Sequence, residues 1–564
     1  MGKRNNPEVH PDDDDPVGET GLSPVSRRQL FGAAMGVTAA ATMPSLISPA
    51  AARTSKPSGK TAPFNSMRDY VAAMDDWGLV MRIPKVNQDE YEATALMYRV
   101  RDQFGMRGAP ALLFDKVKID GRWVDGPLLV NESGSSHAEC LAFGLDPVDE
   151  GPIHTEPLNS YRKARNYVEQ MIADNDGEYP TIPPVEVAAG DAPCKDVVLE
   201  GDDIDLTKFQ FIQCNPADAG RYINTGVVFT RHAKRGVNFG TYRCHLRGPR
   251  EIAINSEPGQ TGWNHLQAAK RRGETTAKVS IALTPDPYVW MVSGNKMSFG
   301  KGRLLDEMSV AGGIAGRPVE VVKCETNDFM VPAHAEMIIE GEVPLNDMRP
   351  EGPYGEFVGY QGDVKPKAFW MKVTRVTHRK NPWLMNNFTG QQAGALMAAG
   401  NALSSYKIKR EIPAVQEIFS DTRAVGFFYV SIKKTEPGQG LKVAKQITEK
   451  FFNAKIVVVV DDDIDIVDKD AMMSAMGARW QPWGNTEVYE SLPALPLDPS
   501  TPTVGKSSKI AIDATKQWPE EGGPEVFPER NEVLLKQGAP DAFSRVDEQW
   551  GEQIRAWRET LPKA

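Results

Sequence analysis

The most restrictive feature of the chain is a succession of strand-forming runs between Val197 and Arg379. Gly226 to His232, Val237 to His245, Glu251 to Asn255, Lys278 to Leu283, Val319 to Cys324, Glu336 to Glu340 and Phe369 to Thr377 follow one another, punctuated by Gly, Pro, Asn and Asp. Short strands separated by turn residues predict a barrel or a sandwich. The flanks read differently. Ser66 to Trp77 and Gln88 to Phe104 repeat apolar residues at helical spacing, and alternate with strand-like Leu79 to Ile83 and Ala111 to Phe114. That alternation predicts an α/β layer ahead of the strand-rich part, with Pro180 to Pro193 as its boundary. Beyond it, Gln391 to Lys409 predicts a linking helix, and Val425 to Ile432, Leu441 to Phe452 and Ile456 to Val460 predict a strand, a helix and a buried strand of a second α/β unit. Asp461, Asp462 and Asp463 end that last strand, where acidic residues cap helices, and a structural role is expected of them.

A length of 564 residues accommodates several such units. The predicted division is 1–52 as a signal and disordered N-terminus, 53–195 as an N-terminal α/β domain, and 196–388 as a β-barrel domain. A linker helix over 389–410, a C-terminal α/β oligomerisation domain over 411–525 and a tail with one helix over 526–564 complete it. The net charge of -10 argues against a nucleic-acid partner, which favours a basic face. The five cysteines, Cys140, Cys194, Cys214, Cys244 and Cys324, form no CxxC pair and are expected to be free, buried thiols.

The N-terminus carries its own signal. A polar stretch with the acidic run Asp12 to Asp15 precedes Ser26-Arg27-Arg28-Gln29-Leu30-Phe31, an Ala-rich apolar stretch to Ile47, and Ala50-Ala51-Ala52. Paired arginines, a mildly apolar segment and small residues for cleavage predict a twin-arginine export signal. The expected destination is the periplasm or the exterior, by way of the twin-arginine translocase.

Two segments carry candidate chemistry. In Pro350-Glu351-Gly352-Pro353-Tyr354-Gly355-Glu356 two carboxylates stand five apart. On a helix or a regular strand they would diverge. Gly-Pro-Tyr-Gly demands a tight turn, which can bring both to one side. Two converging carboxyls can hold different protonation states, one acid and one base. On spacing alone a solvated acidic turn is the favoured reading. In Asn238-Phe239-Gly240-Thr241-Tyr242-Arg243, the Arg243 fork suits a carboxylate and Asn238 offers a neutral oxygen, although each could simply pair locally on a strand.

These segments, together with "PGQTG", "AAKRRGE", "DEMSVAGGIAG", "VKCETNDFMVPAHAEMIIEGEVP", "EGPYGEFVGY" and "SSKIAIDAT" in this order, resemble the UbiD family of decarboxylases over roughly residues 60–520. The resemblance implies a fold of three parts: an N-terminal α/β domain, a split β-barrel like that of flavin reductases, and a C-terminal α/β domain after a linker helix. It implies reversible, non-oxidative decarboxylation of an aromatic, heteroaromatic or α,β-unsaturated acid through a covalent adduct with prenylated FMN (prFMN). It places the catalytic Arg and Glu residues at Arg243, Glu351 and Glu356, with Arg243 and Glu351 as an inner ion pair and Glu356 as the proton donor. Cofactor contacts fall on Asn238, Gln260, Ser298, Phe299, Phe357 and Lys509. A divalent metal, manganese or magnesium, falls on Asn238 and Glu307, with a monovalent cation such as potassium nearby. The family's third metal ligand is a His after the Gln of "GQ", where this chain has Thr261; His265, one helical turn on, could share its face. Further implications are a homo-oligomer and a flavin prenyltransferase as cofactor supplier. If Asn238 and Arg243 both face the cofactor, their odd spacing on a strand requires an irregularity, expected at Gly240. The rival readings are an exported flavin-binding protein without decarboxylase activity, which Thr261 favours, and an ordinary flavin oxidoreductase.

Overall fold

The computed structural model describes residues 59–148, 154–298, 300, 304–390, 396–420 and 425–560. The proposed export signal and Phe299 lie outside them. The N-terminal layer is a sheet in the order Val80–Ile83, Ala111–Ile119, Arg122–Val130, Leu384–Asn386, with Val86–Asn87 also paired to the second of these strands. Helices Met67–Asp76, Glu92–Phe104 and Glu156–Asp174 belong to this part of the chain. Ser66 starts the first of them, its hydroxyl accepting from Asp69 N, which satisfies one of the open amides of the first turn. The apolar residues of Ala111–Phe114 are fully buried, each worth about 1.5–3 kcal/mol once large enough to fill the core. The last strand of the sheet returns from far along the chain: Leu384, Met385 and Asn386 pair in parallel with Leu128, Leu129 and Val130.

The strand-rich region closes on itself. Met337–Pro344, Thr276–Leu283, Tyr222–His232, Gly236–Leu246, Glu251–Ile254 and Lys365–His378 pair in that order, and the last pairs back to the first. Closure leaves the six strands no long free edge, with one exception that matters below. Glu251–Ile254 is short and meets the preceding strand only at Cys244–Leu246, so the edge of Gly236–Tyr242 on that side is uncovered by strand.

Helix Met397–Glu411 packs on Glu156–Asp174 and leads to the C-terminal sheet, ordered Val415–Ser420, Phe427–Ile432, Ile456–Asp461, Lys506–Asp513, Thr486–Pro493. Its three central strands are parallel. Asp461 and Asp463 both accept from Arg479, the structural role expected of them. The tail holds two helices, Asn531–Gly538 and Ala542–Thr560, the first of which its sequence did not announce. All five cysteines are free and buried. Among the described residues no helix is long and apolar enough to cross a membrane.

Candidate active site

The turn after Glu351 does what its composition allows. Arg349–Glu351 pairs with Lys365–His378, and Tyr354 and Gly355 pair with Gly362 and Gln361 in a two-stranded hairpin. Gly352 takes φ +89°, which favours glycine. The chain doubles back, and both carboxylates reach Arg243. Arg243 donates to Glu351 through Nε at 3.2 Å and Nη2 at 2.8 Å, and to Glu356 Oε1 through Nη1. Its guanidinium lies 4.9 Å from the Tyr354 ring centroid. Tyr222 donates its hydroxyl to Glu351 Oε1 at 3.0 Å. Glu351 is 1 % exposed, so it depends on these donors for its charge.

The two glutamates differ in setting. Burial pushes the Glu356 carboxyl up; Arg243 pulls it back, and the negative charges of Glu351 and Asp218 push it further up. Asp218, buried, is also raised, first by its burial. Lys365, opposite Glu351 in the strand pairing, ion-pairs with Glu257 and is pushed down to about 8 by burial and by Arg243. One arginine thus stands among the buried carboxyls of Glu351, Glu356 and Asp218, with the partly exposed Lys365–Glu257 pair beside it.

Gly362 makes that arrangement possible. A Cβ there would lie 2.7 Å from Glu356 Oε1 and 2.9 Å from its Cγ. Gly362→Ala should therefore swing the carboxyl off Arg243 without straining the backbone. We expect kcat to fall by about a hundredfold, the usual cost of an ångström of misplacement, with flavin binding and thermal stability near wild type. Steady-state kinetics beside a melting curve would check it; an unchanged kcat would mean the carboxyl position is not critical.

A second group surrounds Glu307, which follows the capping residue Asp306 at the start of helix Glu307–Ala315. Burial pushes Glu307 up to about 7, while a hydrogen bond from the Ser298 side chain holds it down. The Asn238 amide meets it, and its orientation is assigned from its neighbours: with Nδ2 toward Glu307 it donates to Oε1 at 2.9 Å and Oδ1 accepts from Phe239 N at 3.1 Å. Turned by half a rotation, the amide would present Oδ1 instead, and two oxygens would face one point. Such a pair repels unless a hard cation lies against both. The donor set therefore fits a divalent ion held by Asn238 and Glu307.

Thr261 is the first residue of helix Thr261–Arg271, and Gln260 is its exposed cap, with Oε1 accepting from Glu257 N at 2.7 Å. His265 is buried one turn on. Its Nδ1 lies 3.1 Å from Thr230 Oγ1, and Thr230 is the strand partner of Asn238. Burial pushes His265 down to about 4, so it is a neutral ring packed on the strand. Among the described residues the cluster of three His, Cys, Asp or Glu groups close enough to bind a metal is His154, Asp468 and Asp470, away from this site and explained by Asp468 capping helix Lys469–Arg479.

One expectation changes. The irregularity is not at Gly240: Gly236 to Tyr242 pair one for one, and the extra residue sits on the neighbouring strand between Ile223 and Gly226. Gly240 instead makes room for the Tyr242 hydroxyl, 3.2 Å from where its Cβ would be, and that hydroxyl accepts from Gly262 N at 3.0 Å. Strict alternation then puts Asn238 and Arg243 on opposite faces, and the strand-free edge of Gly236–Tyr242 is the border both faces share. Lys509 is not brought to Arg243. Its Nζ donates to Phe451 O at 2.8 Å and Thr448 O at 3.3 Å, closing the carbonyl end of helix Gln439–Lys450, as lysines do. Phe357 is 48 % exposed, on the surface of the hairpin. Sequence reasoning missed Tyr222, Tyr354, Asp218 and Lys365. Only Tyr354, inside the turn motif, had a local signal.

Comparison with known proteins points to one family. The UbiD model "3-octaprenyl-4-hydroxybenzoate carboxy-lyase Rift-related domain" matches residues 185–392, and that family's C-terminal domain model matches residues 395–514. An uncharacterized protein of Archaeoglobus fulgidus is 29% identical over 505 residues, covering 87% of this chain and 98% of its own. Sedimentibacter hydroxybenzoicus vanillic acid decarboxylase in open form is similar with a TM-score of 0.72 at 24% identity, covering 87% of this chain and 99% of its own. An evolved dimeric form of the UbiD-class enzyme HmfF from Pelotomaculum thermopropionicum, in complex with prFMN, has a TM-score of 0.66 at 24% identity and covers 83% and 97%. The solved structures establish the fold, and the two domain models together span more than half of the sequence in the order the family requires: the chain belongs to the UbiD family.

Proposed function

We propose that the protein removes carbon dioxide non-oxidatively from an aromatic, heteroaromatic or α,β-unsaturated carboxylic acid, with prFMN as cofactor. The observation that carries this reading is one buried arginine shared by two glutamates, with the proton affinity of Glu356 raised by its burial. When bound, prFMN supplies an electron sink for the pair released as the carboxylate carbon departs. The chain's residues do the rest. Arg243, fixed by Glu351 and Tyr222, presents a permanent positive charge to the substrate carboxylate and keeps its own orientation through a two-point fork. Glu356 holds a proton at its carboxyl and delivers it to the carbon that has lost carbon dioxide; in the reverse direction it takes that proton back. The aromatic class is favoured by the likeness to vanillic acid decarboxylase.

Asn238 and Glu307 would hold a divalent cation, manganese or magnesium, against the flavin phosphate, with Thr261 as a neutral oxygen and a monovalent cation nearby. Arg27-Arg28 and the apolar stretch after them support export by the twin-arginine translocase, which implies that a flavin prenyltransferase loads the protein beforehand. A homo-oligomer is part of the proposal, as in the dimeric HmfF. The second reading, a flavin-binding protein without turnover, rests on Thr261 standing where the family has a His.

The deciding experiment is co-expression with a flavin prenyltransferase, the mass of the released cofactor, and carbon dioxide release from a panel of hydroxybenzoic, heteroaromatic and cinnamic acids. A prFMN mass with release from one acid class is expected. prFMN bound without release would favour the second reading, and plain FMN with nicotinamide oxidation would replace both.

A further inference from the structure

We infer that Asn387–Gly390 is a positioning segment for the turn that carries Glu356. The segment directly follows the strand Leu384–Asn386, which belongs to the N-terminal sheet. The irregularity on Tyr222–His232 is what ties it to the barrel. There Asn224 binds Asn387 at both ends, Nδ2 donating to Asn387 O at 2.5 Å and Oδ1 accepting from Asn387 N at 2.9 Å. The same Nδ2 donates to Tyr354 Oη at 2.9 Å, and the Tyr354 ring is the surface Arg243 lies on. Thr225, fully buried beside Asn224, donates to Met385 O at 2.8 Å. An extra residue in one strand has thus turned two polar side chains toward a segment of another layer, a common use of a bulge.

Beyond Asn387 the segment grips the backbone on both sides of Glu356. Thr389 Oγ1 donates to Gly355 O at 2.6 Å. Gly390, at φ +74°, comes so close to Gly359 that a Cβ would lie 2.5 Å from Gly359 Cα and 3.3 Å from Glu356 O. Gly359 N in turn donates to Glu356 O at 2.9 Å. The acid is therefore held between two backbone contacts made by a segment that starts from the N-terminal sheet. Thr389 also hydrogen-bonds the Tyr354 side chain; it is a positioning residue acting through Gly355 and Tyr354. In this way the placement of the N-terminal layer against the barrel sets where the Glu356 proton sits.

The inference rests on Glu356 being the proton carrier, but its test needs no turnover, so failure of either can be told apart. Thr389→Val keeps the shape and removes the donor; Thr389→Ser restores it. In the full-length protein, amide exchange of peptides spanning 354–362 should quicken about fivefold in Thr389→Val, the worth of one net hydrogen bond, and return to wild type in Thr389→Ser. Peptides from Ile456–Asp461 should not change. The titration midpoint of Glu356, read as the carbon-13 carboxyl signal missing from Glu356→Gln, should move in Thr389→Val and return in Thr389→Ser. Unchanged exchange, an equal rise across the C-terminal sheet, or a midpoint identical to wild type would each overturn the inference.

Discussion

Glu356→Gln should leave a folded protein that binds flavin and turns over about a thousandfold more slowly. The substitution keeps the side chain's size and the oxygen that accepts from Arg243 Nη1. Arg243 retains both of its bonds to Glu351, so the buried charge stays compensated and no large loss of stability follows. What disappears is the transferable proton. Burial and the neighbouring carboxylates raise the wild-type group, so its acid form persists above the ordinary carboxylate range. Decarboxylation should decline as pH rises through that raised value and hold steady below it. Carbon dioxide release measured across pH, beside flavin absorbance, tests both halves. If the Gln variant keeps its turnover, the proton comes from another group, and Lys365, pushed down to about 8, would be the next to replace.

The sequence shows some parts of this site and hides others for physical reasons. The turn was readable because Gly352-Pro353-Tyr354-Gly355 leaves the backbone few choices, and a turn between two carboxylates brings them together. The barrel was readable because its strands carry period-two or fully buried patterns with turn residues between them. The irregularity was placed on the wrong strand. A bulge is a mismatch between two strands, and the sequence around Gly240 contains only one of them. Asp218 and Tyr222 were invisible for the same kind of reason: Tyr222 meets Glu351 across 129 positions, and no local pattern marks it. Lys509 shows how much a side chain's surroundings add to a motif. Its motif is conspicuous, and its ammonium donates to two carbonyls of a helix end, which no local pattern announces. The grip of Thr389 on Gly355 depends on a backbone oxygen, which side-chain patterns cannot announce.

Glu351→Gln and Arg243→Met should move the acid in opposite directions, and that contrast is the sharper test of the cluster. Glu351 raises the Glu356 proton affinity through like charge, and Arg243 lowers it through opposite charge. Removing the Glu351 charge leaves Glu356 as the nearest partner of a buried arginine, so its proton affinity falls. The pH at which activity declines should move down by about one unit or more, and turnover at neutral pH should fall at least about tenfold, since one unit is worth 1.36 kcal/mol. Removing Arg243 has the reverse effect on Glu356 and a heavier effect on the fold. Glu351, 1 % exposed, would keep only Tyr222 among its donors, and stripping a buried carboxylate of its cation costs about 3–5 kcal/mol. Arg243→Met should therefore melt well below wild type and hold the Glu356 proton to higher pH, whereas Glu351→Gln should melt closer to wild type and release it earlier. The carbon-13 titration of Glu356 separates the two without a substrate. A midpoint that moves the same way in both variants would mean the glutamates are not coupled through Arg243, and the division of labour between them would have to be redrawn.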